Sequence, residues 1–215
     1  MGVKIDPDTA TVVVDGTRID LFPDKAYIVL NKPRGYTSTR FDPHAKRTIL
    51  DLVRDVPAPV YPVGRLDVDT EGLLILTNDG DFTFRLTHPS HELPKTYVAE
   101  VRGRIGPNDL MSLAAGIELE DGRTAPAQVK LLDFDRRKMV SVVELTIHEG
   151  RKRQVRRMFE ALNRPVHKLA RTRIGGVSLD DLPAGRWRRL TEAEVAGLLQ
   201  AASLGPVSRS RTKRP

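Results

Sequence analysis

The sequence predicts an α+β fold built on a mainly antiparallel mixed sheet with helices at its sides. Several short segments have the composition of strands and are separated by polar turns. Only two segments carry the apolar spacing of a helix, and both lie in the last third of the chain. Strands that are joined by short turns pair antiparallel, and this connectivity predicts the sheet.

The front of the chain predicts a small unit that precedes the main domain. Residues 11–14 have the pattern of a short strand, and a turn and a second extended segment follow at residues 15–19. These residues are too few to bury a core of their own. We therefore expect residues 1–22 to be the end of something larger, and the main domain to cover residues 23–203.

The first half of the main domain contains two apolar runs. Residues 27–30 predict a buried strand that ends in the turn at residues 31–35. Residues 73–77 form a second run, which is closed by turn residues at positions 78–80. We expect this second run to be a central strand of the sheet.

The segment after this central strand leaves two alternatives open. Phe82, Phe84 and Leu86 alternate with polar residues, as they would in a half-buried strand. Asp79 stands directly before them and could equally cap a short helix.

The second half of the chain predicts three more strands and two helices. The strands are expected at residues 97–102, 128–132 and 139–147, with a polar turn at residues 133–138 between the last two. Apolar residues at helical spacing predict the first helix: Val155, Met158, Phe159 and Leu162. The second helix is predicted by a capping box and an apolar stripe: Thr191, Glu194, Val195, Leu198 and Leu199. The polar, cationic residues 204–215 have nothing to bury, and we expect them to be disordered.

Composition excludes several classes of protein and favours one kind of partner. The 215 residues include 35 Lys or Arg, 28 Asp or Glu and no Cys, and the formal net charge is +7. The absence of Cys excludes disulfides and thiolate metal sites, and no apolar run approaches the roughly 20 residues of a membrane span. The positive charge favours a polyanion such as a nucleic acid. We expect a cytoplasmic enzyme.

Residues 64–72, Gly-Arg-Leu-Asp-Val-Asp-Thr-Glu-Gly, form the first candidate site. They place Arg65, Asp67, Asp69 and Glu71 directly before the predicted central strand. Loops at the ends of strands commonly carry functional side chains. The ordinary alternative is a charged surface turn in which Arg65 pairs with Asp69.

A dense basic segment is the second candidate site. Between Glu149 and Arg173 the chain has nine Lys or Arg residues and two acidic residues. The apolar stripe of the predicted helix directs Arg156 and Arg157 to its flanks, from which they could reach an adjoining cleft. A cluster of this kind at a helix start suits phosphate binding, although it could also be a solvated basic face.

Two further features have ordinary structural interpretations. Tyr97 follows Lys95 and Thr96 at the start of a predicted strand and could be a core tyrosine with its hydroxyl at the rim. The five histidines show neither the paired spacing nor the Cys partners of a zinc site: His44, His88, His91, His148 and His167.

In combination, the motifs resemble those of the pseudouridine synthases of the RsuA and RluB branch, which modify bacterial ribosomal RNA. The resemblance covers residues 27–199 and rests on motifs in the family order. These are residues 30–35 (Leu-Asn-Lys-Pro-Arg-Gly), 64–67 with Thr70, 72–74, 77–80, 95–97, 149–158 and 173–179.

The resemblance implies a pseudouridine synthase catalytic fold with a basic active-site cleft. It implies that Asp67 is the catalytic aspartate, Tyr97 the aromatic residue against the target base, and Arg156 the basic partner of the aspartate. No cofactor or metal is implied. A departure at Arg153, where some relatives have His, is expected to affect RNA contact rather than chemistry. Family members usually begin with a small RNA-binding domain of the ribosomal-protein type, and residues 3–22 resemble only its last strands.

The resemblance further implies a uridine of ribosomal RNA as substrate, either free or in an assembling subunit. The motif context is closer to RluB, which favours the 23S RNA of the large subunit. We expect a monomer that does not bind membranes. We also expect a set of residues around the site to contact RNA: Lys32, Arg65, Arg151, Lys152, Arg153, Gln154, Arg157, Lys168 and Arg171.

The proposed chemistry requires the base to leave its stack, so that its bond to ribose can be broken and re-formed through carbon. Asp67 would either attack the sugar or remove a ribose proton, and the sequence leaves both routes open. One rival is a ribosomal RNA-binding or assembly factor without catalysis, in which Asp67 has no task. Another is a hydrolase of nucleosides or sugars, which would need a second carboxylate as general acid.

Overall fold

A sheet of nine strands runs through the part of the chain that this computed structural model describes, namely residues 12–19, 24–39, 47–88, 91 and 93–203. A separate hairpin precedes it, in which β1 (Val12–Val14) pairs with β2 (Thr17–Ile19). The nine strands are β3 (Tyr27–Lys32), β4 (Tyr61–Pro62), β5 (Glu71–Thr77), β6 (Lys95–Arg102), β7 (Gln128–Asp135), β8 (Val140–Ile147), β9 (Val166–Ile174), β10 (Val177–Ser178) and β11 (Trp187–Arg189).

Four α-helices and one 3₁₀ turn accompany the sheet within the described residues. They are α1 (Gly80–Thr87), α2 (Pro107–Ala115), α3 (Gln154–Ala161), α4 (Glu192–Ser203) and the 3₁₀ turn Ile49–Leu52. The strand order is β11-β3-β5-β9-β6-β8-β7, with β4 paired to β5 and β10 paired to β9. All of these pairs are antiparallel except β5 with β9, so the expected mainly antiparallel mixed sheet of an α+β fold is confirmed.

Strand β5 is central because both of its faces are buried. Leu74 and Leu76 belong to a hydrophobic cluster that includes Met158 and Phe159 of α3. The alternate residues Leu73 and Ile75 belong to a second cluster, which includes residues of α1 and α4. Because successive side chains of a strand point to opposite faces, this run of four apolar residues supplies both layers of the core.

The parallel join between β5 and β9 is short and depends on a glycine. It pairs only Glu71 with Ala170 and Gly72 with Arg171. A Cβ at position 72 would lie 2.2 Å from the carbonyl oxygen of Arg171, and the φ of Gly72 is +105°. Beyond this point β5 and β9 no longer pair, and the two halves of the sheet leave a cleft between them.

The alternative that the sequence left open at residues 80–87 is resolved in favour of a helix. The side chain of Asp79 accepts a hydrogen bond from the backbone N–H of Phe82 and caps α1. Asp79 also accepts from the Tyr27 hydroxyl and pairs with Lys25. Burial would raise the pKa of Asp79, but the bonds from Tyr27 and Lys25 outweigh it and lower the pKa to about 2. A charged cap therefore ties α1 to β3.

Several predicted elements are confirmed, and others differ. The front hairpin, the α3 stripe and the Thr191 capping box are present. The turn predicted at residues 133–138 is shorter, because β7 continues to Asp135 through a register shift. Neither α2 nor β9 was predicted. The predicted disordered tail at residues 204–215 lies outside the described residues, as do residues 1–11 and 20–22 of the front segment.

Candidate active site

The cleft has a volume of about 890 Å³ and is bounded by both halves of the sheet. Its lining includes residues of the β4–β5 region and α1, among them Asp67 and Ile75. The lining also includes Tyr97 of β6, Arg171 of β9 and the segment before α3. The first and second candidate sites of the sequence therefore face the same cleft, together with Tyr97.

The loop that carries Asp67 is fixed by a buried lysine. The side chain of Lys32, at the end of β3, is fully buried and donates to the carbonyl oxygens of Thr70 at 2.7 Å and of Asp67 and Pro33 at 3.2 Å. Burial lowers the pKa of Lys32 to about 8, although the nearby carboxylates of Asp67 and Asp69 oppose this shift. Lys32 therefore holds the loop in place.

Three further contacts keep the loop in this shape. Ser38 donates to the carbonyl oxygen of Leu66 at 2.7 Å and accepts from its N–H at 3.1 Å. The N–H of Gly35 donates to the carbonyl oxygen of Val68 at 2.8 Å. Leu66 is itself buried in the core beside Asp67. The backbone on both sides of Asp67 is thus anchored to the turn after β3.

The Asp67 carboxylate is half-exposed and lies near the guanidinium of Arg153. Its side chain retains 39% of its exposed area, and Arg153 Nη1 lies 4.0 Å from its Oδ2. Arg156, the expected partner of Asp67, instead places its Nε 3.3 Å from Asp69 Oδ2 and donates to the Asp69 carbonyl oxygen at 2.8 Å. The guanidinium that pairs with Asp67 therefore belongs to Arg153, the position where the sequence departs from some relatives.

Asp69 joins these two arginines to the loop. It accepts a bidentate pair of bonds from Arg153 at 3.1 and 3.0 Å, and Arg156 is almost completely buried behind it. Burial would raise the pKa of Asp69, but the hydrogen bonds from Arg153 and the charge of Arg156 lower it below its ordinary value. Asp69 is thus a charged support of the site, and its partners are these two arginines rather than Arg65.

Tyr97 and Arg171 lie together in the cleft wall. Tyr97 is 9% exposed, and Arg171 Nη1 lies 3.5 Å from its hydroxyl with the guanidinium carbon 6.0 Å from the ring centre. Arg171 Nε donates to the carbonyl oxygen of Leu73 at 2.8 Å, which bridges β9 to β5. Its Nη2 is buried without a hydrogen-bond partner among the described residues. Arg171 therefore lies beside Tyr97 and connects β9 to β5 where these two strands pair.

Three residues expected to bind RNA are in fact buried within the site. Lys32, Gln154 and Arg171 are each less than 5% exposed. Gln154 donates to Glu149, which also binds Arg151. These side chains already bond to the protein and have almost no exposed area, so a contact with phosphates would require them to move; their contact with RNA stays a prediction. The sequence alone does not distinguish a buried lysine or arginine from one on the surface.

Several of the remaining cations expected to bind RNA already bond to carbonyl oxygens or carboxylates of the protein. Arg151 donates to the carbonyl oxygens of Gly122 and Arg123 at 2.7 Å, and Arg157 pairs bidentately with Asp121. Lys168 lies 3.0 Å from Glu71 but keeps 46% of its side-chain exposure. Arg65 and Lys152 are exposed and line the cleft. The free cationic surface is therefore smaller than the sequence suggests.

The arrangement can bind a planar, uncharged ring beside a carboxylate. The aromatic ring of Tyr97 and the apolar side chains of Ile75, Leu86 and Leu169 contribute flat and apolar surface. A carboxylate on an anchored loop, as Asp67 is, can act as a base or a nucleophile, and cations at the rim can contact phosphates. Thr70, whose buried hydroxyl has no hydrogen-bond partner in the described part of the chain, also lines the cleft. Such a site suits chemistry on a nucleotide that has left its stack.

Comparisons with known proteins point to one family. Residues 26–161 match the family model described as RNA pseudouridylate synthase. The chain is 45% identical to ribosomal large subunit pseudouridine synthase B of Bacillus subtilis over 95% of this chain and 83% of that protein. It is 36% identical to ribosomal small subunit pseudouridine synthase A of Yersinia pestis over 91% and 82%. A crystal structure of a pseudouridylate synthase superposes with a TM-score of 0.74 at 36% identity, covering 91% of this chain and 83% of that one.

Proposed function

Because the chain belongs to the RNA pseudouridylate synthase family, we propose that it converts one uridine of ribosomal RNA to pseudouridine, with Asp67 as the catalytic residue. The observation that carries the proposal is the position of Asp67: a half-exposed carboxylate on an anchored loop, in the same cleft as Tyr97. An RNA-binding factor without catalysis would not need a carboxylate in a cleft that binds a polyanion.

The reaction divides among the residues of the cleft. The target uridine leaves its stack and enters beside Tyr97, whose ring supports the base; stacking of this kind is worth roughly 1–3 kcal/mol. Asp67 then attacks the ribose or removes a ribose proton, and the glycosidic bond breaks. The base turns and rejoins through carbon, after which the proton on that carbon must leave. The Tyr97 hydroxyl is the proposed acceptor or relay for this proton.

Two arginines support Asp67 in this step, one directly and one through Asp69. Arg153 provides a direct positive charge at 4.0 Å. Arg156 acts on Asp67 through Asp69 and the loop backbone, and we propose it as a positioning residue. The exposed cations Arg65 and Lys152, together with the half-exposed Lys168, are proposed to bind phosphates of the RNA.

We further propose that the substrate is the RNA of the large subunit. The identity to the large-subunit enzyme of B. subtilis exceeds that to the small-subunit enzyme of Y. pestis, 45% against 36%. None of the described helices is long and apolar enough to cross a membrane. A monomer acting in the cytoplasm, where ribosomal RNA is made, is the proposed form. The hairpin at residues 12–19, whose two strands pair with each other, is proposed to belong to a small RNA-binding unit.

Purified protein and unmodified ribosomal RNA transcripts test the proposal. We expect pseudouridine to form with the wild type and with Asp133→Asn, an exposed aspartate of β7 outside the cleft. Asp67→Asn should lose activity by at least about 10⁴-fold while it still binds RNA, because the substitution removes the reacting oxygen and little volume. Mass spectrometry of nuclease fragments after chemical derivatisation measures the product. Pseudouridine formation by Asp67→Asn would remove Asp67 from the catalytic role, and no product with the wild type would leave only the RNA-binding role.

A further inference from the structure

Three aromatic rings follow one another along the surface at the end of α1. The ring centres of Phe84 and His88 are 5.1 Å apart, and those of His88 and His91 are 5.4 Å apart. His91 Nδ1 donates to the carbonyl oxygen of Arg85 at 2.5 Å, which fixes this ring against the helix. The rings are tilted to each other by 55° and 44° and form a continuous aromatic step.

The aromatic step reaches the cleft at its middle ring, His88. Thr87 and His88 line the cleft together with Arg65 and Asp67, and the Thr87 side chain lies 4.0 Å from a Cβ placed on Gly64. Phe84 lies one helical turn further from the cleft and is 63% exposed. A strand of nucleic acid that leaves the cleft over α1 would therefore meet His88 first and Phe84 next.

Packing of the helix does not require an aromatic residue at position 84. Phe82 and Leu86 already bury the apolar face of α1 in the second hydrophobic cluster. Phe84 points away from that cluster, and a polar residue would suit its exposure. A single exposed apolar residue is common, but an exposed ring that begins a run of three rings beside a cationic cleft is a feature that needs an explanation.

We propose that Phe84, His88 and His91 form a stacking surface for an unpaired base next to the target uridine. The proposal rests on the proposed function, since it assumes that RNA occupies the cleft. Single-stranded nucleic acid is commonly bound by aromatic rings that stack on bases beside cations that contact phosphates. Arg65 at the cleft and the exposed Arg85 of α1 are the cations adjacent to this surface. The positive charge favours RNA over an apolar protein segment as the partner.

Equilibrium filter binding tests the proposal without requiring catalysis. The probe is an unmodified 23S RNA transcript, with transfer RNA as competitor against non-specific binding. Phe84→Ala and His88→Ala should each weaken binding about fivefold to 100-fold, the range expected for loss of one stacked base. Phe84→Leu keeps an apolar side chain but removes the ring, and it should weaken binding as Phe84→Ala does. Phe84→Tyr keeps the ring and should bind as the wild type.

Met111→Ala is the matched control, because Met111 is 62% exposed, lies on α2 and is not part of the cleft. It should leave RNA affinity unchanged. Its single-turnover rate at saturating protein should also stay within about threefold of the wild type.

The outcomes separate this proposal from the proposed function. Binding of Phe84→Ala and His88→Ala within twofold of the wild type would overturn the stacking surface, even if pseudouridine forms normally. Wild-type affinity in Phe84→Leu would overturn it as well, because an apolar contact would then explain the surface without stacking. If the wild type makes no pseudouridine but the ring variants still lose RNA affinity, the catalytic function fails and the stacking surface stands.

Discussion

Replacing Gly72 by Ala should separate the two halves of the sheet and disable the site. The new Cβ would lie 2.2 Å from the Arg171 carbonyl oxygen, whereas ordinary contacts begin near 3.4 Å. Strands β5 and β9 would therefore have to move apart by about 1 Å at a join of only two residue pairs. An alanine at this left-handed φ costs about 1–2 kcal/mol, and the steric overlap costs about 1–3 kcal/mol. Alanine also reduces the conformational freedom of the unfolded chain, which offsets roughly 0.4–1 kcal/mol of this loss.

We thus expect Gly72→Ala to lose about 1–4.5 kcal/mol of unfolding free energy, measured by urea denaturation. The displacement also moves the Asp67 loop away from Tyr97, and a misplacement of about 1 Å can reduce a rate about 100-fold. Single-turnover pseudouridine formation measures this effect. Gly80→Ala is the control, because nothing lies within 4 Å of its added Cβ. Wild-type stability and rate in Gly72→Ala would refute the reasoning.

Three further predictions follow from buried and charged groups. Lys32 has a pKa of about 8, so its three contacts with carbonyl oxygens should weaken as it deprotonates. The single-turnover rate of pseudouridine formation should therefore fall above pH 8. Lys32→Met should be slower than the wild type and lack this pH dependence. Asp79→Asn keeps the cap but loses the charge and should be about 2 kcal/mol less stable at pH 7. The folded pKa of Asp79 is lower than the unfolded one, so its stabilisation is complete above about pH 4 and disappears as the pH falls toward 2; urea unfolding at pH 7 and pH 3 should show this convergence. Tyr97→Phe keeps the ring, so RNA affinity should persist while release of the proton from carbon slows; an unchanged rate would exclude the hydroxyl as the proton acceptor.

Much of the fold could be predicted because the relevant signals are local. The apolar run at residues 73–77 and the capping box at Thr191 depend on neighbours in the chain, and both correspond to observed elements. Strand β9 was missed because Arg171 occupies a buried position two residues after Leu169, on the same face of the strand. A buried arginine hides the alternation by which a half-buried strand is recognised. The available signal was the two-residue spacing of Leu169 and Arg171, which places both side chains on the same face of a strand.

The site was predictable as a set of motifs but not as a set of contacts. Asp67 and Tyr97 carry the family pattern, and they line one cleft. That Lys32 is buried under the Asp67 loop depends on the packing of the turn after β3, and the two residues lie 35 positions apart in the sequence. The observed pairing differs from the expected one: Arg156 contacts Asp69, and Arg153 lies near Asp67. This pairing depends on where the start of α3 lies relative to the Asp67 loop. Such long-range geometry leaves no periodic trace in the sequence.

Mapping of pseudouridine in ribosomal RNA from cells that lack this protein tests the central claim most directly. The deletion strain is complemented with the wild type or with Asp67→Asn, and modified positions are read by primer extension after carbodiimide treatment. The proposed function predicts that one position in the large-subunit RNA is lost in the deletion and restored by the wild type alone. An unchanged modification pattern in the deletion, or full restoration by Asp67→Asn, would contradict it.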